Sequence, residues 1–118
     1  MIKPLPHYFG KRREEEYFEF VHNLEKCGVF SIQLDSDSIV SLWNVRIFGK
    51  FQGKHLGSQM IQECIEFITR YLPQVKEIYL FVDFSNDKAQ NLYKKYGFCF
   101  TGEVKYSCCY EMSKILEK

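Results

Sequence analysis

The run Gln52-Gly53-Lys54-His55-Leu56-Gly57-Ser58 places two glycines, a lysine and a histidine between an extended, β-rich segment (Leu42 to Phe48) and an amphipathic helical pattern. Beyond it Met60, Ile61, Cys64, Ile65, Ile68 and Leu72 form an apolar stripe at helical spacing. The chemistry this succession suits is anion binding. The first turn of a helix leaves N–H groups unpaired, and its dipole adds partial positive charge there. Gly53 and Gly57 let the backbone approach a ligand closely, and Lys54 brings a mobile cation. Two readings stand side by side: a phosphate or pyrophosphate cradle, and an ordinary tight strand-to-helix connection. A nucleotide P-loop is excluded, because Lys54 is followed by neither Ser nor Thr.

The elements that would position this run follow from the pattern of the chain. At 118 residues it is expected to be one domain (1–118) with a single core, helped by eleven Phe, eight Tyr and one Trp. A net charge of +1 gives no electrostatic case for nucleic acid or an anionic membrane. The basic Lys11-Arg12-Arg13 is cancelled by Glu14-Glu15-Glu16 and reads as a solvated face. No stretch is apolar enough to span a bilayer, and no signal-peptide core precedes Gly10. Five cysteines lie within apolar patterns without a C-x-x-C pair, so they read as reduced core thiols of a cytoplasmic protein and not as metal ligands.

The start of the chain reads as irregular, with one extended piece around His7-Tyr8-Phe9. A helix is expected from about Arg13 to Lys26, on Tyr17, Phe18, Phe20, Val21 and Leu24, closed by Cys27-Gly28. Val29–Leu34 and Ile39–Phe48 read as a hairpin, and the helix after the loop ends at Tyr71-Leu72 before Pro73. Glu77–Phe84 carries apolar residues on both parities, as in a strand covered on both faces. Ser85-Asn86-Asp87 supplies cap-type residues for a short helix with Ala89, Leu92, Tyr93 and Tyr96 on one side and Gly97 beyond its end. Phe98–Phe100 then reads as a short strand, Thr101-Gly102 as a turn, and Glu103 to about Ile115 as a long strand. On that strand Val104, Tyr106, Cys108, Tyr110 and Met112 would share a face. The order is α-β-β-α-β-α-β-β, an α/β class fold in which a mixed (α+β) sheet carries packed helices.

Two stretches together resemble a known family. Gln52-Gly53-Lys54-His55-Leu56-Gly57 is similar to the Q/R-x-x-G-x-G/A pyrophosphate loop of the GNAT superfamily of acyl-CoA-dependent N-acetyltransferases. Asn86-Asp87-Lys88-Ala89-Gln90-Asn91-Leu92-Tyr93-Lys94-Lys95-Tyr96-Gly97-Phe98 resembles its N-x-x-A-x-x-L-Y-x-K-x-G-F motif, and Tyr110–Lys114 its last strand. The resemblance implies the GNAT fold, with a mostly antiparallel central sheet, and acetyl-CoA as co-substrate. It further implies that the backbone of Val45, Arg46 and Ile47 pairs with the pantetheine arm. The N–H groups from Gln52 through Gly53, Lys54, His55, Leu56 and Gly57 to Ser58 would hold the pyrophosphate. Asn86 would fix the cofactor arm while capping its helix, and Tyr93 would be the general acid beside the thioester sulfur.

Three positions depart from the family pattern. His55 stands where the loop usually has glycine, Phe81 stands where many members carry a basic glutamate, and the N-terminal region is short. Tyr93 suits proton donation and also plain packing on its stripe. Base candidates are Asp83, on the strand face of Phe81, and Asp35 or Asp37, each better suited to a solvated or capping role, with proton loss to water as a further route. The reading that follows is N-acetylation of a primary amine by direct attack on acetyl-CoA. A catalytically weak acyl-CoA-binding regulatory module is the alternative, and an exposed edge strand admits a homodimer.

Overall fold

Strands β1 (Ile2–Pro4), β2 (Glu15–His22), β3 (Glu25–Leu34) and β4 (Ile39–Ile47) form an antiparallel meander in the computed structural model, which describes residues 1–4 and 15–116. Helix α1 (Leu56–Tyr71) then crosses to β5 (Glu77–Asp83), which pairs in parallel with β4. Helix α2 (Asp87–Lys95) leads to the hairpin β6 (Cys99–Lys105) and β7 (Cys109–Ile115), with β7 antiparallel to β5. The sheet runs β1-β2-β3-β4-β5-β7-β6. One cluster holds the core: Phe20 and Phe30 of the meander, Met60, Cys64 and Ile68 of α1, Ile78 and Leu80 of β5, Tyr93 of α2, and Met112 of β7.

The mixed sheet and the two helices after the loop stand as the sequence suggests, but the N-terminal helix does not. Glu15–His22 is a strand, returned through Asn23 and Leu24 at φ 52° and 66°, the left-handed pair that a two-residue hairpin needs. Phe18 and Phe20 are buried around half-buried Glu19, a period of two that the broader helical stripe conceals. Phe18 stacks on Phe30 with ring centroids 5.2 Å apart. Gly28 is therefore no helix end. It lies buried within β3, where an added Cβ would meet the Arg46 carbonyl oxygen at 2.5 Å. Ile2–Pro4, read as irregular, pairs with β2, while His7-Tyr8-Phe9 and Lys11–Arg13 fall outside the described residues.

The C-terminal hairpin also turns elsewhere. Tyr106 and Ser107, at φ 55° and 61°, make the reversal, and Gly102 (φ 96°) sits within β6 where the register with β7 slips. A glycine inside a strand marks a bulge as readily as a turn. This breaks the expected shared face, since Met112 is buried and Val104, Tyr106 and Tyr110 are exposed. Strand β5 has one fully covered face, Ile78, Leu80 and Val82. Its other face carries half-buried Tyr79 and Phe81, sheltered by rings and not by a helix. Of the five cysteines, read from sequence as core thiols, only Cys27 and Cys64 are buried; Cys99 and Cys108 are exposed and Cys109 is half-buried on the C-terminal hairpin.

Candidate functional site

The parallel ladder between β4 and β5 covers Ile39 with Glu77 through Leu42 with Leu80 and then ends, although both strands continue. From Trp43 to Ile47 the side of β4 toward β5 has no strand partner among the described residues. A bulge sharpens the parting. Val29 faces Arg46 and Ser31 faces Trp43, so β4 carries one extra residue there, with Asn44 at φ 56°. Asparagine tolerates that conformation, and the extra residue reverses the parity of the strand. Before the bulge Val40 and Leu42 are buried; after it Val45 and Ile47 are the half-buried pair and pack against the core.

The gap opens into a cleft of about 640 Å³, lined by β4, the loop, and facing sides of α1 and α2. That volume is in the range of roughly 300–1,000 Å³ typical of ligand sites. The loop enters α1 through His55, which takes the left-handed conformation (φ 63°, ψ 15°) as N-cap and makes no side-chain cap. Histidine is one of the few non-glycine residues enriched there. The first turn of α1 holds no acidic residue, so its N-terminal dipole is left uncompensated within the helix. Gly57 lies in that turn, where a Cβ would stand 3.6 Å from Leu92 Cδ2 and 3.7 Å from Ile47 Cγ1, inside the cleft mouth.

Val45, Arg46, Ile47, Gln52, Gly53, His55, Leu56, Gly57, Ser58, Asn86 and Tyr93 all line this cleft, and Lys54 does not. Three of the loop's groups are already engaged. The Gln52 N–H donates to the Gly49 carbonyl and its side-chain amide to the Ile47 carbonyl, which ties the loop to the strand end. The Ser58 hydroxyl bonds to that of Tyr96 and joins the two helices. The sequence reading missed Lys88 and Lys95, which line the cleft from α2 and with Arg46 make its border cationic. Lys88 falls at a variable position of the motif and Lys95 at its lysine, which the sequence reading quoted but gave no role.

Asn86 caps α2, its Oδ1 accepting from the Ala89 N–H at 3.1 Å, so its amide NH₂ is left to face the cleft. Tyr93 is 6% exposed, and its hydroxyl has no hydrogen-bond partner among the described residues. Burial first, and then the Cys64 thiol beside it, push this phenol up from 10.0 to about 12. It remains a proton donor at neutral pH. Asp83 ends β5 outside the cleft, exposed, with Oδ1 accepting from the Ser85 hydroxyl (2.7 Å) and N–H (2.9 Å). Those bonds hold its carboxyl below the usual value, which weakens it as a base. The structure thus gathers the loop, Asn86 and Tyr93, and leaves Asp83 apart.

The model of the acetyltransferase (GNAT) family matches residues 3–98. The spermine/spermidine N(1)-acetyltransferase of Bacillus subtilis (strain 168) is 35% identical over 82 residues, 68% of this chain and 53% of that protein. The chain thus spans about half the length of the curated relatives it matches. Among solved structures, a GNAT family acetyltransferase from Elizabethkingia anophelis with acetyl-CoA bound superposes with a TM-score of 0.78 at 17% identity, covering 98% of both chains. The IAA acetyltransferase from Bacillus cereus ATCC 14579 gives 0.80 at 13% identity, over 98% of this chain and 99% of that one. At such identities the likeness is one of fold.

Proposed function

The chain belongs to the GNAT acetyltransferase family, and from that premise we propose that residues 1–118 form one acetyltransferase domain that moves an acetyl group from acetyl-CoA to a primary amine. The observation that carries this reading is the Tyr93 hydroxyl, buried with no hydrogen-bond partner among the described residues in the cleft that opens where β4 and β5 part. Two further features suit the co-substrate. The Gly57 position is a cradle that a Cβ would fill, and the uncapped start of α1 suits a pyrophosphate. The free N–H groups of the loop from Gly53 onward hold the pyrophosphate in this reading. The unpartnered edge at Val45, Arg46 and Ile47 binds the amides of the pantetheine arm, and Asn86 fixes that arm through its free NH₂. Lys88, Lys95 and Arg46 draw the anion to the mouth.

Holding the thioester beside an approaching amine supplies the proximity. The amine nitrogen bonds to the carbonyl carbon and sheds a proton, the C–S bond breaks, and Tyr93 donates its proton to the departing sulfur. No carboxylate among the described residues lines the cleft, so the amine proton passes to water in this scheme, and Asp83 is assigned no part in it. The binding-module alternative is not favoured, because the relatives matched are named as acetyltransferases. We further infer a cytoplasmic setting, supported by five free cysteines, and a homodimer through the outer edge of β6, all of whose residues are exposed. No helix among the described residues is long and apolar enough to cross a membrane.

Thermal melting with acetyl-CoA, ATP and NADH, followed by CoA release over an amine panel, tests the reading. Acetyl-CoA at one hundred times its dissociation constant stabilises by roughly 2.7 kcal/mol. Equal shifts from all three ligands would mean a generic anion cradle and overturn the assignment.

A further inference from the structure

The tip of the β6–β7 hairpin brings two adjacent cysteines together with a carboxylate from another strand. Side chains of neighbouring strand residues ordinarily point to opposite faces. Cys108 escapes that alternation because it still belongs to the turn that Tyr106 and Ser107 make, at φ 55° and 61°, and only Cys109 begins β7. The two sulfurs therefore reach the same side and lie 3.2 Å apart. Asp83, the last residue of β5, is the register partner of Cys109. The Phe84 N–H donates to the Cys108 carbonyl at 2.9 Å, and the Cys108 N–H donates to the Lys105 carbonyl at 3.2 Å. The backbone thus fixes all three residues beside one another.

Among the described residues this is the only place where three ligand atoms from His, Cys, Asp or Glu lie within 4.8 Å of one another. Each can be reached from solvent, since Asp83 and Cys108 are exposed and Cys109 is half-buried. Hydrogen bonds from Ser85 fall on Oδ1 of Asp83 alone and keep its carboxyl ionised, with Oδ2 left over. On its own the thiol pair is no nucleophile. The hydrogen bond to Cys108, and then burial, pushes Cys109 up from 9.0 to about 11. Two sulfurs and a carboxylate are instead the donor set of a thiophilic divalent cation. Two sulfurs about 2.3 Å from a tetrahedral ion stand roughly 3.8 Å from each other, so the 3.2 Å pair need open only slightly.

We propose that Asp83, Cys108 and Cys109 form a binding site for one divalent cation of the zinc class, with a water molecule as the fourth ligand. Each thiol gives its proton to the buffer as its sulfur bonds the ion, so two positive charges arrive and two protons leave. No electron is transferred. Ser85 and Asn86 follow Asp83 directly, so the ion braces the corner from which α2 starts and ties it to the hairpin tip. Asp83 and both cysteines lie outside the cleft lining, and the site does not depend on the transfer reading.

Cadmium is the probe, because its thiolate complexes absorb in the ultraviolet with an intensity that counts the sulfurs. The full chain, reduced and freed of metal, is titrated with Cd²⁺ under argon, and Zn²⁺ is then added. The band should saturate at one ion per chain with the strength of two thiolates, with about two protons released. Zn²⁺ should abolish it and Mg²⁺ should not. Cys108→Ser and Cys109→Ser should each halve the band and weaken binding at least tenfold. Asp83→Asn keeps Oδ1 for Ser85, so the melting curve should persist while binding weakens at least tenfold and the two-thiolate band remains. Cys99→Ser should behave as the parent. A band lost in Cys99→Ser, one ion shared by two chains, unchanged affinity in Asp83→Asn, or no saturable band in a chain that melts normally overturns the proposal.

Discussion

Replacing Tyr93 by phenylalanine should move stability and turnover in opposite directions. The hydroxyl is buried with no partner among the described residues, so its loss breaks no internal hydrogen bond and removes an unpaired polar group. The gain should be about 1 kcal/mol. That corresponds to about 4 °C in Tm for a chain of this size. The phenol also leaves a signature at alkaline pH. Burial, then Cys64, raises it from 10.0 to about 12, so the folded state holds this proton more tightly than the unfolded one. Its stabilising effect is complete below pH 10 and is lost as pH climbs through about 12, roughly 3 kcal/mol in all. Tyr93→Phe should flatten that alkaline loss, leaving the part due to the buried Cys64 thiol, which is also raised by burial. In turnover assays kcat should fall by about 10²-fold, with the KM for acetyl-CoA nearly unchanged. Tyr96→Phe has the opposite sign. Its hydroxyl bonds to Ser58, so Tm should drop with about 1 kcal/mol lost and kcat should hold. Full kcat in Tyr93→Phe, together with a lowered Tm, would refute the reasoning and mark Tyr93 as a packing residue.

Gly57→Ala should stabilise the free protein by roughly 0.5–1 kcal/mol, as a helical glycine-to-alanine change does. Its Cβ projects into the cleft mouth, so calorimetric affinity for acetyl-CoA should fall at least tenfold. His55→Gly should raise Tm by an amount reflecting about 1 kcal/mol, because it removes the left-handed cost at φ 63° without losing a cap. His55→Val should lower it. Timed thiol labelling of the native protein should modify Cys99 and Cys108 first, Cys109 more slowly, and Cys27 and Cys64 only on unfolding.

The portions of this molecule that were legible in the sequence are those whose signals are local. The loop, the stripe of α1, the Asn86 cap and Gly97 past α2 each depend on neighbours within a turn or two, and each stands where the sequence places it. What stayed hidden depends on distant pairing. Gly28 suited a helix end until β4 was laid across it, with the Arg46 carbonyl where a Cβ would go. Asn44 gave no sign of a bulge, and Gly102 looked like a turn because the alternative, Tyr106-Ser107, contains no residue that favours positive φ. The extreme case is a groove on the face of the sheet opposite the cleft. Asp35, Trp43, Phe81, Glu103 and Glu111 come from the β3–β4 turn and four strands, and no spacing along the chain connects them.

The brevity of the ladder between β4 and β5 also bears on how the molecule unfolds. Within the sheet, only four residue couples pair the four-stranded N-terminal meander with the three C-terminal strands. One core spans both parts, so the sheet is weakest along this seam, and the seam is where subglobal opening should cost least. A ligand lying along the bare edge of β4 would contact both parts at once and act as a stitch across them. The sharpness of a melting curve then becomes a property of occupancy: a broader step for the empty chain, a sharper one for the filled chain.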